Sequence, residues 1–124
     1  MPENRKEPTF NRDIFLKNFQ GIEDLALESI DNFLLTLPTL LVAIDSSLKT
    51  KNGKDLELSA HSLKGSLSHF YAEPSKLLAW KLEQLGRGAP DDRAGKIFTD
   101  LQAEIAMLSI ALRSLADELR NYDK

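Results

Sequence analysis

The stretch FTDLQAEIAMLSIALRSLADEL, residues 98–119, places apolar side chains at Phe98, Leu101, Ile105, Leu108, Leu112, Leu115 and Leu119. Intervals alternating between three and four residues put all seven on one side of a helix. That seam suits a dimer interface or the inner face of a bundle, and the bundle is the simpler use because each member needs one such face. Pro90, Asp91 and Asp92 open this helix with carboxylates at its positive end. Upstream, Glu73-Pro74-Ser75 reads as a helix start, because proline is tolerated in the first turn. The helix that follows uses Leu78, Leu82 and Leu85 as its core and stops at residues 86–88, where two glycines flank Arg87. Another stripe runs through Leu56, Ala60, Leu63, Leu67 and Phe70, after a turn signal at residues 51–54.

Nearer the N-terminus, Ile30, Phe33, Leu37, Leu41, Ile44 and Leu48 keep helical phase across Pro38, which fits a kinked helix or two short ones meeting at Leu37. Asn11 caps a short helix holding Ile14, Phe15 and Phe19, and Gly21 ends it. Residues 1–9 are polar and carry two prolines, so they read as a flexible leader to a single domain over residues 10–124. The expected fold is all-α, an antiparallel four-helix bundle with a short additional N-terminal helix. Internal repeats and low-complexity tracts are absent from the sequence.

Composition supports this reading and narrows function. The 124 residues include 22 Leu and 11 Ala against 7 Ile, 5 Thr and 1 Val. Unbranched apolar residues favour helices, whereas the scarce β-branched ones favour strands. Sixteen basic and 19 acidic residues give 16 − 19 = −3, a poor balance for binding nucleic acid through its phosphates. Zero cysteines exclude disulfides, a thiolate metal site and a cysteine nucleophile. The longest nearly apolar stretch, residues 34–44, is 11 long against the roughly 20 needed to span a bilayer. With no apolar signal core after the charged start, a cytoplasmic protein without membrane contact is expected.

On the third apolar stripe, counting about 100° per residue from Leu56 turns His61 about 140° away from the core direction. Glu57, Lys64, Gly65 and Ser68 share its outward patch, together with an apolar residue, Leu58. Glycine inside a helix costs roughly 1 kcal/mol relative to alanine, so Gly65 calls for a reason. Beside an exposed imidazole, a missing side chain lets another molecule come close. A neutral imidazole nitrogen can attack an electrophile, and Lys64 one turn on can hold negative charge on a transferring phosphoryl group. Ser68 can hydrogen-bond the same oxygens. No Gly-rich phosphate loop is present to hold a nucleotide, so the patch reads as a phosphoryl acceptor that does not activate ATP.

Ala60-His61-Ser62-Leu63-Lys64-Gly65-Ser66, followed by Leu82-Glu83-Gln84-Leu85-Gly86-Arg87, resembles the histidine phosphotransfer (HPt) domain of two-component phosphorelays. The likeness covers roughly residues 22–115. It implies a four-helix bundle whose second helix displays the phosphorylated histidine. It also implies that His61 takes a phosphoryl group from one receiver-domain aspartate and returns it to another, without kinase activity of its own. Lys64 matches the basic residue that steadies the phosphoryl group, and Gly65 the small residue that lets the receiver approach. The implied partners are response-regulator receiver domains and a hybrid histidine kinase. The implied cofactor count is none, with magnesium carried by the receiver. Two positions depart from the family pattern. Tyr71 stands where many members have glycine, which predicts a different end to the helix. Glu83 stands where the fourth-helix residue facing the histidine is often glutamine, and an inward carboxylate there would repel a phosphoryl group.

The alternative is a helical-bundle adaptor that binds receivers or other partners without being phosphorylated, using Leu58 and Trp80. Helical counting places Lys76, Trp80, Glu83 and Arg87 opposite the core of the fourth helix, where Trp80 and Arg87 can touch a partner or Trp80 can pack on a neighbouring helix. His69 diverges from His61 by about 80° and is expected to be solvated. Glu57 and His61 make too few ligands for a metal site. No Gly-x-Ser-x-Gly elbow supports a hydrolase.

Overall fold

The computed structural model describes residues 7–88 and 91–121. Five helices follow in order: α1 Arg12–Lys17, α2 Glu23–Lys49, α3 Gly53–Ser68, α4 Glu73–Arg87 and α5 Arg93–Arg120. Packing of α2 on α3, α3 on α4, α4 on α5 and α5 back on α2 closes a four-helix bundle, with α1 as the additional short helix. Of the expected leader, residues 1–6 lie outside the described residues, as do Pro90 of the expected α5 start and residues 122–124 of the expected domain.

Local chemistry sets most of the boundaries. The Asn11 side chain accepts a hydrogen bond from Ile14 N at 3.1 Å, the cap expected for α1. That helix ends at Lys17, and Gly21 serves the following turn with φ of 70° rather than terminating the helix itself. Asn52 caps α3 through Asp55 N at 3.0 Å. An Asn52→Ala variant is expected to lose about 1 kcal/mol of stability. Urea unfolding measures it, and an unmoved midpoint would refute the role of this cap.

Between the two alternatives for Pro38, the structure has one continuous helix, with the proline on its exposed side. There the carbonyl it leaves without a partner can meet water. The helix starts at Glu23, two turns before the first residue of the expected stripe, with Glu23 and Asp24 at its positive end. By length and composition α2 is long and apolar enough to cross a membrane, a property that the 11-residue count missed. Its inner residues Ile30, Phe33, Leu37 and Ile44 belong to the buried core.

The turn between α3 and α4 answers the Tyr71 departure. Tyr71 takes the left-handed conformation, φ 53°, that glycine adopts most easily. Ala72 N reaches back to Leu67 O at 3.2 Å, closing the turn. A tyrosine is held there because other elements grip it. Its hydroxyl accepts from Asn18 Nδ2 at 2.8 Å, and Asn11 N donates to the carbonyls of Phe70 and Tyr71. Phe70 stacks on Phe15 with centroids 4.9 Å apart and meets Phe33 at the same distance. The turn therefore closes with a tyrosine in the left-handed position.

The stripes on α3 and α5 are buried as expected, with only Leu119 half-exposed. The inner face of α4 differs. Its buried residues are Ser75, Ala79, Leu82, Glu83 and Gly86, while Leu78 and Leu85 are half-buried. A count based on leucines misplaces this face because α4 turns its small side chains toward α3. Gly86, expected to stop the helix, lies inside it and is buried, and Gly88 is the cap. A Cβ on Gly86 would come within 2.5 Å of Glu57 N and 2.7 Å of Gly53 O, so the two backbones approach too closely for any other residue.

Candidate functional site

His61 is set by α3. Leu56, Ala60, Leu63 and Leu67 are each fully buried, which turns His61 outward with its side chain 64% exposed. Across from it, the close approach at Gly86 brings α4 near enough for Glu83, one turn earlier, to reach the ring. Glu83 Oε2 lies 3.0 Å from His61 Nδ1, and Oε1 lies 2.6 Å from Lys64 Nζ. Arg87 donates from Nη2 to Glu83 Oε2 at 3.3 Å and from Nε to Glu57 Oε2 at 2.8 Å. Lys54 Nζ stands 3.8 Å from Glu57 Oε1.

The position of Glu83 overturns the helical count that put it opposite the core of α4. It is 2% exposed and aimed at His61. Burial pushes its carboxyl up, but the hydrogen bonds from Lys64 and His61, with the positive charge of Lys64, outweigh that and hold it below the usual carboxylate range. An ionised, nearly buried carboxylate is tolerable because two cations meet it. Since the folded value lies below the ordinary 4.5, the stability from this cluster is complete above that pH and is lost as the pH falls through the folded value.

A carboxylate can only accept, so Nδ1 of the imidazole carries the proton. In the neutral ring the lone pair then lies on Nε2. Glu83 therefore meets the ring at Nδ1, on the side away from the attacking Nε2, with its charge shared by Lys64 and Arg87.

The remaining candidates divide by placement. Gly65 is exposed, and a Cβ there would meet nothing within 4 Å, so no contact inside the chain requires glycine. Lys64 lies beside His61 but is engaged by Glu83, with its side chain 23% exposed. An ammonium has three donors, so this contact leaves two. Ser68 donates its hydroxyl to Lys64 O at 3.0 Å and is not brought to the imidazole by any described contact. Glu57 joins the cluster through Arg87, not through the histidine. Leu58 and Trp80 are exposed, as is Arg87. His69 is exposed at the end of α3. Among the described residues no group of three or more possible metal ligands occurs. A hollow of about 230 Å³ lies between α1, the start of α2 and the end of α5, lined by Leu16, Phe19, Ala26 and Leu115 and by none of these candidates.

A profile of the Hpt domain matches residues 28–122. The chain belongs to the Hpt family. It is 24% identical over 115 residues to the phosphorelay intermediate protein rdeA of Dictyostelium discoideum. That match takes in 93% of this chain but 44% of the relative, so the chain spans less than half the length of that protein. The fold is similar to the crystal structure of histidine-containing phosphotransfer protein B of Pseudomonas aeruginosa PAO1, with a TM-score of 0.84 at 21% identity. The superposition covers 91% of this chain and 98% of the other.

Within this Hpt domain, two residues of the site escaped the sequence reading. Gly86 reads along the chain as a helix stop, although its place three residues after Glu83 on a helix facing α3 signals a close contact. Lys54 was only part of a turn, and its link to Glu57 one turn later is a helix-surface pairing that spacing alone could have suggested.

Proposed function

We propose that this Hpt protein is a phosphorelay intermediate whose phosphoryl acceptor is Nε2 of His61. The observation that carries the reading is the exposed ring held at Nδ1 by a buried, ionised Glu83. The lone pair of Nε2 attacks the phosphorus of a receiver aspartyl phosphate, the P–O bond to the carboxylate breaks, and the aspartate leaves with that electron pair. The imidazole becomes a cation that keeps its proton on Nδ1 against Glu83. In the second half, another receiver aspartate attacks the phosphorus and the P–Nε2 pair returns to the ring.

Lys64 offers its remaining donors to the phosphoryl oxygens. Leu58, Trp80 and the cations Lys64 and Arg87 form the surface that meets the receiver, whose acidic site brings its own magnesium. A hybrid histidine kinase supplies phosphate at the head of such a relay, and this chain adds no kinase activity.

The test is direct. Incubated with a phosphorylated cognate receiver, the protein is expected to gain an acid-labile phosphate. A receiver that binds while no phosphate appears would establish the adaptor reading instead. The open backbone at Gly65 adds a second expectation, because a long side chain there projects from the surface a receiver must approach. Gly65→Gln should lower the rate of transfer at least about tenfold, equivalent to roughly 1.4 kcal/mol, with the circular dichroism spectrum unchanged. Equal rates would remove close approach as the reason for this glycine.

A further inference from the structure

We infer that Glu83 makes phosphorylated His61 a labile donor, so that the chain passes its phosphoryl group on and does not store it. The inference rests on the phosphotransfer reading above and concerns how that same site is tuned. After Nε2 has accepted phosphate, the ring exists in two forms. With the proton on Nδ1 it is a cation, and breaking the P–Nε2 bond returns the electron pair to a neutral imidazole. Without that proton, the same cleavage would expel an imidazolate, a far poorer leaving group. Which form prevails depends on what faces Nδ1.

In this protein that neighbour is a carboxylate 3.0 Å away and 2% exposed. It has acceptors only, so it holds the Nδ1 proton and has nothing to donate to a deprotonated Nδ1. A glutamine at the same position would behave differently, because its amide can turn and offer N–H to the bare nitrogen. The charged groups that meet Glu83 or its partners are Lys64 and Lys54 with Glu57 on α3, and Arg87 on α4. The two cations on Glu83 keep it ionised, while its own contact with Nδ1 is direct.

The experiment loads the full chain with phosphoramidate, a small donor that needs no receiver, and follows phosphohistidine by ³¹P NMR as a function of pH. Phosphate on His61 of the wild type is expected to hydrolyse about tenfold faster near neutral pH than in Glu83→Gln, whose amide can donate to the bare Nδ1. The fall of the hydrolysis rate from its acid plateau should come at higher pH in the wild type than in the variant. His69, exposed and with no carboxylate bonded to its ring among the described residues, provides an internal comparison if the variant fails to fold. Phosphate on His61 should then decay faster than on His69 in one sample. Equal half-lives and coincident pH profiles would overturn the inference while leaving phosphotransfer intact. If His61 takes no phosphate from phosphoramidate or from a receiver, the phosphotransfer reading itself falls.

Discussion

His61→Gln gains no acid-labile phosphate from a phosphorylated receiver, and transfer falls to background. The replacement removes the imidazole nucleophile while preserving the rest of the cluster. A glutamine amide can still donate to Glu83, so the buried carboxylate keeps three partners and Lys64 and Arg87 stay in place. The side chain is 64% exposed and its one contact with the buried cluster is replaced by the amide's, so the fold is expected to persist, which the circular dichroism spectrum checks. Loss of labelling therefore reports chemistry, not unfolding. Phosphate that still appeared on the variant would place the acceptor elsewhere, with His69 the first alternative to examine.

Gly86→Ala is expected to lower stability by about 3 kcal/mol, the upper part of the range for forcing extra atoms into a filled interior. In a chain of this length that corresponds to a fall in melting temperature of about 10 °C. The clash is with backbone: Glu57 N at 2.5 Å, Gly53 O at 2.7 Å and Glu57 Cα at 2.9 Å. None of these can turn aside as a side chain would, so α4 must move away from α3. Such a shift also draws Glu83 off His61, so phosphotransfer should drop in the fraction that remains folded. Gly65→Ala is the contrast on the facing helix. Its Cβ meets nothing within 4 Å, and exchanging glycine for alanine inside an open helix stabilises by about 1 kcal/mol. Calorimetry on the two variants checks both signs. A wild-type melting temperature for Gly86→Ala would show that the backbones do not approach as described.

Much of this architecture is local and could be read along the chain. The α5 seam, the α3 stripe and the caps at Asn11 and Asn52 depend on interactions within a few residues. The outward direction of His61 follows from the same periodicity, because four buried neighbours on its helix leave the ring only one side to occupy. Tyr71 was harder. Helix phase does not assign Tyr71 its left-handed conformation, and only the grip of Asn18 and the packing around Phe70 explain why a tyrosine holds it.

From sequence alone came the all-helical class, the order of the bundle helices and an exposed histidine with a lysine one turn on, since helix phase repeats every few residues whatever lies outside the helix. The tertiary structure decided which side of α4 faces inward, that Glu83 is buried and that it, not solvent, holds Nδ1 and Lys64. The reason is energetic. A charged side chain has no stable place in an interior until another helix supplies its partners, and those partners are 19 to 22 residues away in the chain, 83 − 64 = 19 and 83 − 61 = 22.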